Sequence, residues 1–234
     1  MTDAEKLGGG EIVRLLAALV LGMAAFWALF LFWPAGSLAW QRGWLLVGVF
    51  MAATIVAGTV VWRVNPEVVA ARSQRHAGTK RWDTFLLVFF FATMPAIFVV
   101  AALDDGRFHW SQAPTWVCGL GYVLMALGFT LVTWAECVNK FFEPTVRIQT
   151  DRGHRVIDSG PYAIVRHPGY VGGLLLFAGI GPALGSYWAL IPAACLGALL
   201  VLRTLLEERT LRAELPGYQE YAARVRYRWI PGVW

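Results

Sequence analysis

Charge is scarce in this chain. Only 15% of its 234 residues are Asp, Glu, Lys or Arg, against 58% hydrophobic, and the mean hydropathy is +0.55. That shortage excludes an ordinary soluble domain and points to a polytopic membrane protein. The three cysteines, Cys118, Cys137 and Cys195, are too few and too scattered for a disulfide framework or a metal site, and they read as small buried hydrophobes. The four histidines are His76, His109, His154 and His167, with His109 expected on the opposite side of the membrane from the rest, which excludes a dimetal cluster of the membrane-desaturase type. G-x-G-x-x-G, G-x-x-x-x-G-K-[ST], H-E-x-x-H, C-x-x-C and G-x-S-x-G are all missing, so Rossmann, P-loop, zinc and serine-hydrolase readings lack support. Ionisable residues are nearly absent from the middle of the apolar runs, Glu136 lying near the end of one, which argues against an ion pump or proton-coupled transporter. No repeat with a period of about 20 to 50 residues is visible.

What is present is a series of apolar runs at 11–33, 43–62, 84–103, 115–137 and 187–206, each near the roughly 20 residues needed to cross ~30 Å of hydrocarbon. A shorter run, 170–186, is broken at Gly181-Pro182 and reads either as a short tilted span or as one arm of a helical hairpin with 187–206. The expected fold is therefore an all-α polytopic membrane helix bundle of five to six transmembrane helices with a C-terminal helical cap. Residues 1–137 are expected to form an N-terminal transmembrane part and 138–234 a second part that carries the last helical hairpin. Trp33, Trp40, Trp44, Trp62, Trp82, Trp110, Trp116 and Trp188 fall near proposed span ends, where an amphipathic indole is favoured.

Of the 20 Lys and Arg residues, only Arg42 and Arg107 lie in the loops 34–42 and 104–114, so those loops are expected to face out and both termini to be cytoplasmic. The net charge of +5 then reflects topology and contact with lipid surfaces rather than nucleic-acid binding. The start "MTDAEKLGGGEIVRLL" lacks a basic n-region and a cleavage pattern, so the first span is expected to be retained. A short amphipathic helix is expected near 67–75, with Trp82 and Asp83 as interfacial anchors. These features suit an inner membrane of bacterial type, and equally the endoplasmic reticulum.

The densest polar cluster on the inward side is "GPYAIVRHPGYVGG", 160–173. Pro168 pushes His167 out of the α region and starts a helix, placing Arg166 and His167 at a helix N-terminus that favours a carboxylate or phosphate. Gly169, Gly172 and Gly173 permit either close helix packing or close approach of a ligand. Downstream, Arg203, Glu207 and Glu208 leave the last span together. Ordinary helix electrostatics offers the i,i+4 pairs Arg203–Glu207 and Glu208–Arg212. A ligand combining a carboxylate, an amine, a ribose and an adenine, such as S-adenosylmethionine, would use both clusters.

The motifs Arg166-His167-Pro168-Gly169-Tyr170-Val171-Gly172 and Arg203 to Leu211, with "GHRVIDSGPY" upstream and "YQEYAARVRYRWIP" downstream, resemble the isoprenylcysteine carboxyl methyltransferase family, related to phospholipid N-methyltransferases. The resemblance covers about 138–231, with Ile157 and Gly169 departing from the family's usual choices. It implies a methyltransferase that uses S-adenosylmethionine on a lipophilic acceptor, for instance an isoprenylcysteine-like carboxylate. It further implies that Arg166 orients an anionic group and that Glu207 lies closest to the reacting methyl. His167, Tyr170 and Glu208 would hold the cofactor, and Gln149, His154, Val156, Gly160, Tyr162 and Pro168 would line its cleft. The expected partners are a lipophilic small molecule and membrane lipids, without a metal. On this reading Arg166→Ala silences the protein while leaving it folded. Two other readings stay open: a membrane reductase that would bind NADPH instead, and a non-enzymatic lipid-binding or assembly subunit in which motif substitutions would unfold the chain.

Overall fold

A computed structural model describes residues 9–72 and 78–234, all helix and connecting loop without a strand among them. The expectations for the N-terminal start and for His76 lie outside those residues. The first helix, α1 (Gly9–Trp27), runs through a π-helical turn at Ala28–Phe32 into a short α2 (Trp33–Ala35) that ends on Gly36 in the left-handed region. Then follow α3 (Gln41–Val64), α4 (Pro66–Arg72), α5 (Arg81–Ala101), α6 (Thr115–Val138), α7 (Pro168–Ala183), α8 (Leu190–Glu214) and α9 (Tyr218–Arg224).

Among the described residues, four helices are long and apolar enough to cross a membrane: Gln41–Val64, Arg81–Phe108, Thr115–Val138 and Leu190–Glu214. The second of these includes a π-helical extension of α5, Ala102–Phe108. α7 has 16 residues, about 24 Å of rise, which falls short of the ~30 Å hydrocarbon layer. It turns through Gly185 into α8, and its ends lie at the two loop faces, with Pro168 beside Glu207 and Ser186 bonded to Asp104. Of the expected amphipathic helix, Pro66–Arg72 is present, and 73–75 lie outside the described residues.

Loops gather on two faces. On one, Arg72 pairs with Glu136 (2.6 Å), Lys80 with Glu214 (2.7 Å) and Arg224 with Asp158 (2.6 Å), joining α4 to the end of α6, the start of α5 to the end of α8, and α9 to the loop before α7. On the other, Arg42 pairs with Asp105, and the fully buried Asp104 accepts from Ser111 Oγ (2.6 Å) and Ser186 Oγ (2.5 Å).

Between the faces, Leu31, Leu46, Phe98, Met125, Ile180 and Leu196 share one apolar core. α6 and α7 cross closely because glycines meet there. A Cβ on Gly128 would sit 2.5 Å from Leu176 N, one on Gly172 2.9 Å from Gly128 O, and one on Gly121 would overlap the Ala183 backbone. The glycines of the motif thus divide their roles: Gly172 serves helix packing, Gly173 faces open space, and Gly169 lies under the Phe142 ring. Gly121→Leu is expected to cost about 3 kcal/mol or more by overpacking. Gly119→Leu, two residues away with nothing within 4 Å of its Cβ position, is expected to be near neutral. Thermal midpoints of the two variants in the same detergent check this pair.

Candidate active site

Where α5 begins, α6 ends, α7 begins and α8 leaves the bundle, the chain surrounds a cavity of about 210 Å³. Its wall is built by the loop after α6, the start of α7, the last turns of α8 and one face of α9. α9 is held there by a small apolar cluster of Leu215, Tyr218, Tyr221 and Ala222, against which Ile148, Val156 and Leu211 pack.

Pro168 opens α7 as expected, with His167 extended at its N-cap. Arg166 and His167 then donate their backbone N–H groups to Tyr227 O (2.9 Å) and Arg228 O (3.0 Å), so the motif is paired to the segment after α9. The Arg166 side chain does the same: Nε donates to Glu208 Oε1, and Nη1 donates to Val225 O (2.6 Å) and Arg226 O (2.7 Å). Burial works against its charge and the Glu208 carboxylate outweighs it, so the Arg166 pKa is raised.

Glu208 is 3% exposed and collects three donors, Arg166, Arg228 Nε (2.8 Å) and His167 Nε2 (3.3 Å). An ionised carboxylate can only accept, so His167 carries its proton on Nε2. The His167 ring stacks on Tyr170, with centroids 5.6 Å apart and planes 8° apart. Tyr170 in turn donates its hydroxyl to Glu207 Oε2. The two adjacent glutamates therefore differ in kind: Glu208 is buried behind the wall in an ion cluster, and Glu207 lies on the cavity wall, partly exposed.

Neither helical i,i+4 pair is what the structure records for these groups. Arg203 donates from Nε to Asp83 Oδ1 (2.7 Å) and from Nη2 to Pro144 O (2.6 Å), while Glu208 turns to Arg166 and Arg228. Tertiary partners with buried, multidentate geometry outweigh a solvent-screened pair worth only a few tenths of a kcal/mol.

Upstream, Gln149 is 2% exposed and spent within its own loop, donating to Phe141 O (2.7 Å) and accepting from Arg152 Nη1 (2.7 Å). His154 Nδ1 accepts from Gln149 N (3.3 Å) beneath a tilted contact with the Phe141 ring. Tyr162 is buried, accepts from Asn139 Nδ2 (3.1 Å) at its hydroxyl, and gives its carbonyl to the Tyr221 hydroxyl (2.8 Å). Burial pushes the Tyr162 phenol upward, so it stays protonated. Gly160 adopts φ +57° in the turn before Tyr162, where a Cβ would meet Val138 Cγ2 at 2.9 Å. Of the residues singled out from sequence, Gln149, His154, Val156, Tyr162, Arg166, His167, Pro168, Tyr170 and Glu207 all line the cavity; Gly160 and Glu208 do not.

Burial also lowers His154 to about 4, so its imidazole is neutral at ordinary pH. The unfolded chain takes up that proton near pH ~6.5 and the folded chain refuses it until about 4. Stability is therefore undiminished above the unfolded pKa and is lost as pH falls below it, by about 1 kcal/mol near pH ~5.5. Thermal midpoints measured between pH ~7.5 and ~5.5 are expected to fall less steeply in His154→Gln than in the parent chain.

Sequence reasoning missed four contributors: Asp83, Arg228, Thr145 and Tyr218. The hydroxyls of Thr145 and Tyr218 are buried on the cavity wall and have no hydrogen-bond partner among the described residues. Buried hydroxyls are rarely left so, and both suit a polar ligand. "PGYQEY" placed Tyr218 just past a helix end, the one sequence signal for it. Among the described residues no His/Cys/Asp/Glu group could hold a metal ion.

Residues 116–215 match the sequence profile of the phospholipid methyltransferase family, which belongs to the isoprenylcysteine carboxyl methyltransferase-like superfamily. The resemblance read from the Arg166 and Arg203 motifs is borne out across that segment. The cobalt-zinc-cadmium resistance protein CzcN of Cupriavidus metallidurans is 34% identical over 130 residues, covering 54% of this chain and 56% of that protein. The chain thus spans about half the length of this curated relative.

Proposed function

We propose, from a segment 116–215 that carries the phospholipid methyltransferase pattern, that this chain is an integral-membrane methyltransferase that uses S-adenosylmethionine on a lipophilic acceptor. The cavity carries the reading. It opens on the loop face of a bundle of membrane-crossing helices, and its wall combines the Glu207–Tyr170 pair with the unpartnered hydroxyls of Thr145 and Tyr218. Bound there, S-adenosylmethionine would supply an electrophilic methyl group on a sulfonium. Glu207 suits the cationic part of such a ligand, the two hydroxyls and neutral His154 its polar groups, and Phe141 with Phe142 its flat base.

The protein's chief task in this reading is alignment, holding an acceptor atom about 3–3.5 Å from the methyl carbon. Tyr170 holds the Glu207 carboxylate in place from behind. For an amine or thiol acceptor, Glu207 or His167 on the wall would take the proton released. For a carboxylate acceptor no base is needed, and a water-poor site favours a step in which two opposite charges disappear. The scarcity of Lys and Arg in the loops 34–42 and 104–114 supports a cytoplasmic cavity face, with residues 1–137 as membrane scaffold and 138–234 as cofactor-binding part.

Purified protein incubated with methyl-labelled S-adenosylmethionine and total bacterial lipid extract tests the reading. Label is expected in the organic phase. Label that mild base converts to volatile methanol would identify a carboxyl ester, and label that stays in a non-volatile product an N-methyl lipid. Equal label with and without protein would contradict the proposal.

A further inference from the structure

One fully buried carboxylate outside the family-matched segment is bonded to the residues of the cavity wall. Asp83 sits in the first turn of α5 and is 0% exposed. A buried carboxylate at the end of a membrane helix persists only when fully partnered. Its partners all belong to the cavity: Arg203 reaches it from Nε (2.7 Å) and Nη2 (3.2 Å), and Val146 N donates to Oδ2 (2.7 Å). Arg203 Nη2 also donates to Pro144 O (2.6 Å), so one carboxylate and one guanidinium pin the strip 144–146, which presents the Thr145 hydroxyl.

The same guanidinium lies 5.6 Å from the Tyr170 ring centroid. It stands one helical turn before Glu207, the spacing at which an arginine and a glutamate on one helix pair. Asp83 holds it away from that partner.

We propose that Asp83 is a positioning residue of the site: it diverts Arg203 from Glu207, leaving the Glu207 carboxylate to Tyr170 and to the cationic part of the ligand. The inference rests on the proposed function for the ligand's identity, but not for the diversion itself. Without the Asp83 charge, Arg203 swings to Glu207 and neutralises it. The loss is then curable by removing the arginine, which no merely structural role of Asp83 would give.

The experiment is calorimetric titration with S-adenosylhomocysteine of the parent chain, Asp83→Asn, Asp83→Glu and the double variant Asp83→Asn with Arg203→Met. Asp83→Asn is expected to weaken binding about tenfold, a loss of one decade in Kd or ~1.4 kcal/mol. Asp83→Glu stays within about threefold of the parent, and the double variant recovers most of the loss. A double variant as weak as Asp83→Asn, or weaker, overturns the proposal. If the parent chain itself does not bind, the functional reading fails, and the diversion is decided by a double-mutant cycle of Arg203→Met with Glu207→Gln on thermal midpoints, run in the parent and in the Asp83→Asn background. A stabilising Arg203–Glu207 coupling that appears only with Asp83→Asn upholds it, and equal coupling in both backgrounds overturns it.

Discussion

Glu207→Gln is expected to reduce methyl transfer by about 100-fold or more while leaving the thermal midpoint within a few degrees of the parent. The amide matches the carboxylate in shape and still accepts the Tyr170 hydroxyl, and Glu207 is partly exposed on the cavity wall rather than buried in an ion cluster. What disappears is a fixed negative charge facing the cavity. Tyr170→Phe is expected to cost less, about tenfold, because it frees the carboxylate without removing it. Labelled transfer to lipid, measured beside a thermal scan, separates these outcomes. Activity in Glu207→Gln above half that of the parent would remove Glu207 from the chemistry.

Arg166→Ala is expected to destabilise the protein by about 3–5 kcal/mol, the usual cost of leaving a buried charge short of its partner. The sequence alone suggested a silent but folded variant, because it offered Arg166 as an anion-orienting group. The geometry leads to a different expectation: Arg166 is 5% exposed, neutralises Glu208, and ties down the carbonyls of Val225 and Arg226. Removing it releases the segment after α9 and with it the Tyr218 wall. New tryptic cleavage after Arg224, Arg226 and Arg228 in the variant is the expected readout. Arg166→Lys is expected to rescue little, since one ammonium cannot serve a carboxylate and two carbonyls in that fixed geometry.

The contrast between Glu207 and Glu208 shows where sequence reasoning stops. Apolar runs located the long helices because hydrocarbon thickness sets their length, and Pro168 announced the start of α7 because its ring dictates the local backbone. The family resemblance implied that Tyr170 and Glu207 serve one ligand, and the structure joins them on one cavity wall. Adjacent residues on a helix point about 100° apart, so one glutamate faces the cavity and the other the segment 225–228; which does which depends on tertiary partners far along the chain. Asp83 illustrates the same limit. It reads as an interfacial anchor because it flanks a span, yet its partners are 63 and 120 residues away. Asp104 in the π-helical turn is likewise satisfied by Ser111 and Ser186, a pairing that no local pattern announces. Only the crossing of α6 and α7 distinguishes Gly121, Gly128 and Gly172, which pack against backbone, from Gly119 and Gly173, which meet nothing.

The central claim is that the cavity bounded by Tyr170, Glu207 and Tyr218 binds S-adenosylmethionine. Calorimetric titration of the detergent-solubilised protein with S-adenosylhomocysteine, with Glu207→Gln and Tyr218→Phe alongside, tests it most directly. The account predicts saturable one-to-one binding by the parent chain, weakened about tenfold or more in Glu207→Gln and by a smaller factor in Tyr218→Phe. No binding by a well-folded parent chain, or equal affinity in all three proteins, would contradict it.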